Sequence, residues 1–229
     1  MGGMQRLVRA LVLLVILGLG TLWGLAWFGR QPGEALGDAF LRQVARLTGQ
    51  ETPVPVSAGG VQLPQGVTLG GPFTLVNQEG RTVTQADFDG QLIIGYFGFT
   101  FCPDVCPTEL GNITAAMELL TPAQQARVTP ALFTIDPERD TPEQLKLYVS
   151  NFHPRMVGLT GSAEQVAETA RRFRVYYNKV QRPEMSEYLM DHSSYIYLIG
   201  RDGRVVTLLR PNSSPEAIAE AVRGQLAAR

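Results

Sequence analysis

The chain has 229 residues, 18% of them charged and 45% hydrophobic, an ordinary globular composition with enough apolar material for one sizeable core. Its 20 Lys and Arg against 21 Asp and Glu leave a formal net charge of -1, so no general basic field exists to hold nucleic acid, and that class of function is set aside. Only two cysteines occur, Cys102 and Cys106, too few for a disulfide scaffold but enough for one redox couple or one pair of thiolate ligands.

A short arm, 1–9, precedes the run ALVLLVILGLGTLWGLAWF at 10–28, nineteen residues without a charge. At about 1.5 Å per helical residue, that run matches a bilayer core of roughly 30 Å. It is longer than the ~7 to 15 apolar residues of a usual secretory signal, and no small-x-small cleavage site follows, so an uncleaved transmembrane anchor is expected. Trp23 and Trp27 suit the membrane interface. Arginines lie on both sides of the run, Arg6 and Arg9 before it and Arg30, Arg42 and Arg46 after it, so positive charge alone does not orient it. The short arm favours a cytoplasmic N-terminus with the rest of the chain across the membrane. Residues 29–70 read as a linker: a short amphipathic stretch, EALGDAFLRQVARL, then a Pro- and Gly-rich segment.

Over 71–229, strand and helix signals alternate. GPFTLVNQEGRTVT predicts a hairpin turning at Asn77 to Gly80, and QLIIGYFGFTF predicts a buried central strand. A helix is expected through ELGNITAAMELL, after the cysteines. Thr121-Pro-Ala-Gln124, Thr141-Pro-Glu-Gln144 and Ser162-Ala-Glu-Gln165 each fit a capping box at a helix start. Between them, VTPALFTID and RMVGLTG predict strands. SSYIYLIGRDGRVVTLLR predicts a last hairpin turning at Arg-Asp-Gly, and a helix opens at Ser214-Pro215. Such an order gives an α/β layer architecture, a mixed sheet flanked by helices, and a thioredoxin-like fold is its economical match because the cysteines lie where the first long strand meets a helix.

The chemistry is concentrated in Phe99-Thr-Phe-Cys102-Pro-Asp-Val-Cys106-Pro, a CxxxC spacing rather than the CxxC of thiol-disulfide oxidoreductases. With Cys106 in the helix the two sulfurs lie about one turn apart on one face, close enough either to bond or to share an ion. Helix N-terminal amides favour the thiolate, the form that binds metal and attacks disulfides. Two thiolates select Cu(I) or zinc, and one imidazole would complete a three-coordinate site, which copper accepts more readily than structural zinc. The imidazole is His153 or His192. His153 ends a helix before Pro154, where a solvated or capping role is the plainer reading; His192 stands in a polar turn before the last hairpin.

FTFCPDVCP, the later TIDPERDTPE and the DHSS before the last hairpin together resemble the SCO/SenC family of copper-binding assembly proteins, over roughly 71–229. The resemblance implies a thioredoxin-like domain that binds copper through Cys102, Cys106 and His192. It implies delivery of copper to the CuA centre of cytochrome c oxidase, or reduction of that centre's cysteines, by a domain outside the cytoplasmic membrane or in the mitochondrial intermembrane space. By the same resemblance Asp136 lies near the metal, as a tuning group or a turn cap, and Asp191 either orients the imidazole or solvates its loop. Met185 and Met190 are soft-ligand types, and alternation into a sheet accounts for Met190 equally well.

Two functions compete: a copper carrier without turnover, and a thiol-disulfide reductase in which His192 is incidental. A thiol peroxidase ranks behind both, because the nearest arginines in sequence, Arg81 and Arg127, are well away from the cysteines. In an oxidising compartment the pair tends toward a disulfide, which implies a thioredoxin-like reductase as a partner beside the copper-receiving oxidase subunit.

Overall fold

The structure, a computed structural model, describes residues 2–28, 40, 44, 60–61, 63, 66–181 and 187–227. The chain divides into two compact units, Met1–Pro55 and Val56–Arg229. In the first, α1 (Gly2–Phe28) is one continuous helix that includes the whole expected anchor. Several of its apolar side chains lie outside the described set, and among the described residues no helix is long and apolar enough to cross a membrane. Nearly all of the amphipathic stretch and the linker also falls outside the described residues.

The second unit is built on an eight-stranded mixed sheet. Its strands are β1 (Gly60–Val61), β2 (Thr74–Asn77), β3 (Thr82–Thr84), β4 (Leu92–Gly98), β5 (Val128–Thr134), β6 (Val157–Thr160), β9 (Ile196–Ile199) and β10 (Val205–Leu209), in the order β1-β10-β9-β4-β5-β6-β2-β3. β4, β5 and β6 run parallel, while β9 lies antiparallel to β4 on its other side. All seven residues of β4 and all seven of β5 are buried, as the continuous apolar runs require when both faces of a strand are covered. The edge strand β1 pairs Gly60 with Leu209, so the sheet reaches upstream of the boundary expected at 71.

Alternation along β4 divides its side chains between two faces. Phe97 stacks on Phe133 at 4.9 Å and meets Phe173 and Tyr197 at 5.3 and 5.2 Å, an aromatic core closed by the residue that ends α5 (Ala163–Arg172). Tyr96 and Gly98 take the opposite face, where Cys106 lies. The cysteine helix, α2 (Val105–Glu118), packs against the last helix, α6 (Pro215–Ala227). α3 (Pro122–Gln125) and α5 open on full capping boxes, whereas at α4 (Pro142–Val149) the Thr141 hydroxyl accepts from the Gln144 N–H without the reciprocal bond. In the last hairpin Gly203 adopts φ +75°, a left-handed conformation that suits glycine, at the third residue of the expected Arg-Asp-Gly turn.

Two readings need correction. The cysteine helix begins at Val105, not after the cysteines, because Pro107 tolerates the first turn of a helix and leaves no reason to delay it. The segment before the last hairpin is not a polar turn: β7 (Tyr177–Val180) and β8 (Leu189–His192) form a separate two-stranded antiparallel ribbon in which Tyr177 pairs with His192. Its short, mixed polar and apolar strands carry little periodic signal.

Candidate metal centre

Four segments meet where β4 and β5 end. Leaving β4, the chain passes through Thr100, whose N–H and hydroxyl both donate to the buried carboxylate of Asp140; the hydroxyl bond measures 2.6 Å. The Thr134 hydroxyl, at the end of β5, donates to the same carboxylate at 2.6 Å. This carboxylate therefore ties the root of the cysteine loop to the neighbouring strand, and burial raises its pKa above the ordinary Asp value.

Cys102 is half-buried in the loop and Cys106 fully buried in the first turn of α2; neither is in a disulfide. The Cys106 N–H points at Cys102 Sγ at 3.4 Å. Hydrogen bonding from the Cys106 thiol, and then from the amides of Asp104 and Cys106, holds the Cys102 thiol well below the usual range. Cys106 moves the other way, raised by the same shared bond and by burial. The pair thus shares one proton, with the charge on the more accessible sulfur.

His192 ends β8 with Nε2 3.7 Å from Cys106 Sγ. Its Nδ1 lies 3.1 Å from the Ser193 carbonyl oxygen, which can only accept, so Nδ1 bears the hydrogen and Nε2 presents a lone pair to the sulfurs. Tyr96 and Phe99 flank the ring edge-on at 6.1 and 6.0 Å. Among the described residues no group of three or more His, Cys, Asp or Glu side chains is placed so as to hold a metal ion as they stand. What the fold brings together is narrower, the two cysteines and this one imidazole.

The other expected residues take different positions. Asp136 is buried, but its carboxylate is engaged: Arg139 Nε donates at 2.6 Å and the Tyr188 hydroxyl at 2.9 Å. Asp191 is exposed and, being next to His192 on a strand, lies on the opposite face of the ribbon; the imidazole is oriented by the Ser193 carbonyl instead. His153 is buried rather than solvated, and its Nδ1 accepts the Arg155 N–H at 3.1 Å. Met190 is buried, and Met185 lies outside the described residues.

The sequence reading missed three features here. The Arg139 guanidinium approaches both Phe101 and Tyr188, 4.7 and 3.6 Å from their ring centres. Asp140 organises the loop root. Glu109, one turn beyond Cys106 on α2, is fully buried; one oxygen accepts the Asn212 N–H at 2.6 Å and the other has no partner among the described residues. Only the charges within TIDPERD, set in an otherwise apolar strand end, could have signalled the first two.

Comparison with known proteins now decides the family. The SCO1/SenC family model matches residues 61–227, most of the chain. The chain belongs to the SCO1/SenC family. It is 43% identical over 159 residues to the mitochondrial SCO2 homolog of Bos taurus, an alignment covering 69% of this chain and 60% of that protein's length. A crystal structure of Arabidopsis thaliana ScoI with copper bound is similar at 38% identity and a TM-score of 0.64, over 70% of this chain and 99% of the other. BsSco, described as a member of the Sco family of cytochrome c oxidase assembly proteins with a disulfide switch, matches at 26% identity and a TM-score of 0.55, over 74% and 100% of the two chains. With these neighbours, the central mixed sheet flanked by helices is a thioredoxin-like Sco domain.

Proposed function

We propose that this SCO1/SenC chain is a membrane-anchored copper carrier that serves assembly of the CuA centre of cytochrome c oxidase, holding its cargo through Cys102, Cys106 and His192. The observation that carries this reading is the 3.7 Å approach of a bare Nε2 to Cys106 Sγ, with Nδ1 committed elsewhere. Two thiolates and a neutral imidazole form a soft three-donor set suited to Cu(I), whereas structural zinc takes four ligands. Loading displaces the proton held on Cys106, so metal uptake is coupled to proton release. Cys102, the more accessible donor, is where an incoming thiolate from the copper-receiving oxidase subunit would first exchange. The copper-bound Arabidopsis relative and the oxidase-assembly role given for BsSco support this context.

The anchor is the uncharged run within α1, a helix of 27 residues or about 40 Å. It places the N-terminus in the cytoplasm and the Sco domain on the periplasmic side, or in the intermembrane space of a mitochondrion. Any disulfide formed there between the cysteines is reopened by a thioredoxin-like reductase.

The test is copper stoichiometry and absorption spectroscopy on the reduced protein, comparing wild type, His192→Ala and a double Cys→Ser variant. One copper per chain with thiolate-to-copper bands, remodelled in His192→Ala and lost in the double variant, is the expected result. Indifference of the bands to His192 would sink the ligand assignment.

The opposed thiol shifts favour one second reading, a reductase of the oxidase cysteines. The Cys102 thiolate attacks a disulfide sulfur and releases one thiolate. Cys106, deprotonated, then attacks Cys102 Sγ, leaving a Cys102–Cys106 disulfide and a fully reduced partner, two electrons transferred in all. Weak copper binding together with turnover of a CuA-peptide disulfide would select this reading.

A further inference from the structure

The ribbon carrying His192 has a weakness that the remainder of the domain does not share. Among the described residues β7 and β8 pair with each other and with no strand of the main sheet. A lone two-stranded ribbon is marginal in water, and its register is poorly specified when neither face is uniformly buried. The burial of Tyr177–Val180 and Leu189–His192 is mixed, with a single buried residue, Met190. Register matters here more than elsewhere, because a slip of one residue turns every side chain to the other face. In place of His192, its neighbour Asp191 or Ser193 would then face the cysteines.

Something must therefore pin the ribbon, and a set of contacts sits at its end. Tyr188 immediately precedes β8. Its hydroxyl donates to Asp136 at 2.9 Å, and its carbonyl accepts from Arg139 Nη1 at 3.0 Å. The Arg139 carbon centre lies 3.6 Å from the Tyr188 ring centre, while Lys179 Nζ lies 4.2 Å from it. Lys179 is itself paired with Glu138 at 2.7 Å, so β7 is tied to the same loop. The same Arg139 guanidinium lies 4.7 Å from the ring centre of Phe101, the residue before Cys102. It is largely buried, and its Nη2 has no partner among the described residues, so Asp136, the Tyr188 carbonyl and the aromatic rings hold it in place.

We propose that Arg139 and Tyr188 are positioning residues for the copper site: by joining the cysteine loop at Phe101 to the ribbon at Tyr188, this clasp fixes the register that presents His192 to Cys106. The inference rests on the assignment of His192 as a ligand. It also gives Asp136 a role without copper contact, as the anchor that orients Arg139 and Tyr188. A Lys in place of Arg139 keeps the charge but loses the planar fork that stacks and hydrogen-bonds at once.

The test uses the reduced full-length protein in detergent micelles, loaded with one equivalent of copper. Two properties are read: the thiolate-to-Cu(II) absorption and electron paramagnetic resonance spectra, and Cu(I) retention against bicinchoninate. Variants are Tyr188→Ala, Tyr188→Phe, Arg139→Lys and Phe101→Leu, with His192→Ala as the reference for a lost imidazole. Tyr188→Ala and Arg139→Lys should shift the spectra toward those of His192→Ala and weaken retention about tenfold or more, the scale of one lost charged stacking contact. Tyr188→Phe should restore most of the wild-type signal by keeping the ring. Phe101→Leu, at an exposed site that does not threaten folding, should show the same shift in smaller degree. If His192→Ala changes the spectra while the clasp variants leave them and retention at wild-type values, the clasp is overturned and the ligand assignment stands. If His192→Ala itself changes nothing, the assignment fails and the clasp fails with it. Should Tyr188→Ala and Arg139→Lys not fold, Phe101→Leu decides alone, an unchanged spectrum overturning the proposal.

Discussion

Gly98 offers a sharp test of how the sheet sets the cysteine geometry. It ends β4, and a Cβ added there would lie 2.8 Å from Tyr96 Cε1 and 2.9 Å from Cys106 Sγ, distances that real Cβ atoms essentially never show. Neither neighbour can retreat into solvent, since Tyr96 and Cys106 are both 0% exposed. Gly98→Ala therefore overpacks a closed site at about 1 to 3 kcal/mol. The reduced freedom of the unfolded chain returns about 0.4 to 1 kcal/mol, leaving a net loss of about 1 to 2 kcal/mol. With a urea slope of about 1 to 3 kcal/mol per molar, the unfolding midpoint should fall by roughly 0.3 to 2 M at unchanged slope. Because Cys106 Sγ must give way, the thiolate-to-copper bands should also shift. A variant as stable as wild type, with unchanged bands, would refute the argument outright. A lower midpoint with unchanged bands would mean that the Tyr96 ring alone absorbs the strain and that Gly98 has no hold on the sulfur.

Two further outcomes follow from the charges around the site. In the reduced, metal-free protein, iodoacetamide at pH 6 should modify Cys102 about a hundredfold faster than Cys106, because only Cys102 is both accessible and ionised there; equal rates, read by peptide mass spectrometry, would contradict the one-proton description of the pair. Glu109 is raised by burial, so its folded form prefers the proton: its contribution to stability is complete below the ordinary Glu range and is lost as pH rises through the elevated folded value. Glu109→Gln, which mimics the protonated state, should flatten that decline in urea midpoints between acid and neutral pH, and an unchanged pH profile would remove Glu109 as its source.

Much of the domain was legible because its signals are local. Apolar runs such as LIIGYFG and VTPALFT, short and rich in β-branched and aromatic residues, read as strands covered on both faces, and Ser or Thr three residues before Gln marks helix starts through bonds made within one turn. The cysteine pair was legible for the same reason, since four residues of chain keep both sulfurs together in any helix-starting loop. The choice of His192 over His153 came from the resemblance of whole motifs, not from either residue's neighbours in sequence.

What the sequence by itself determined, then, is the α/β order of the main sheet and its helices, the helix starts at Thr121, Thr141 and Ser162 and the proximity of Cys102 to Cys106, all properties fixed within a few residues of chain. Tertiary structure decided the remainder. It brought His192, 86 positions along the chain from Cys106, to within 3.7 Å of it, turned Asp191 to the other face of its ribbon, and engaged Asp136 with Arg139 and Tyr188. It also buried Glu109 beside a turn 103 residues away. Such contacts depend on which strand ends converge and on which face a two-residue alternation presents, and neither is encoded in the spacing of any one segment.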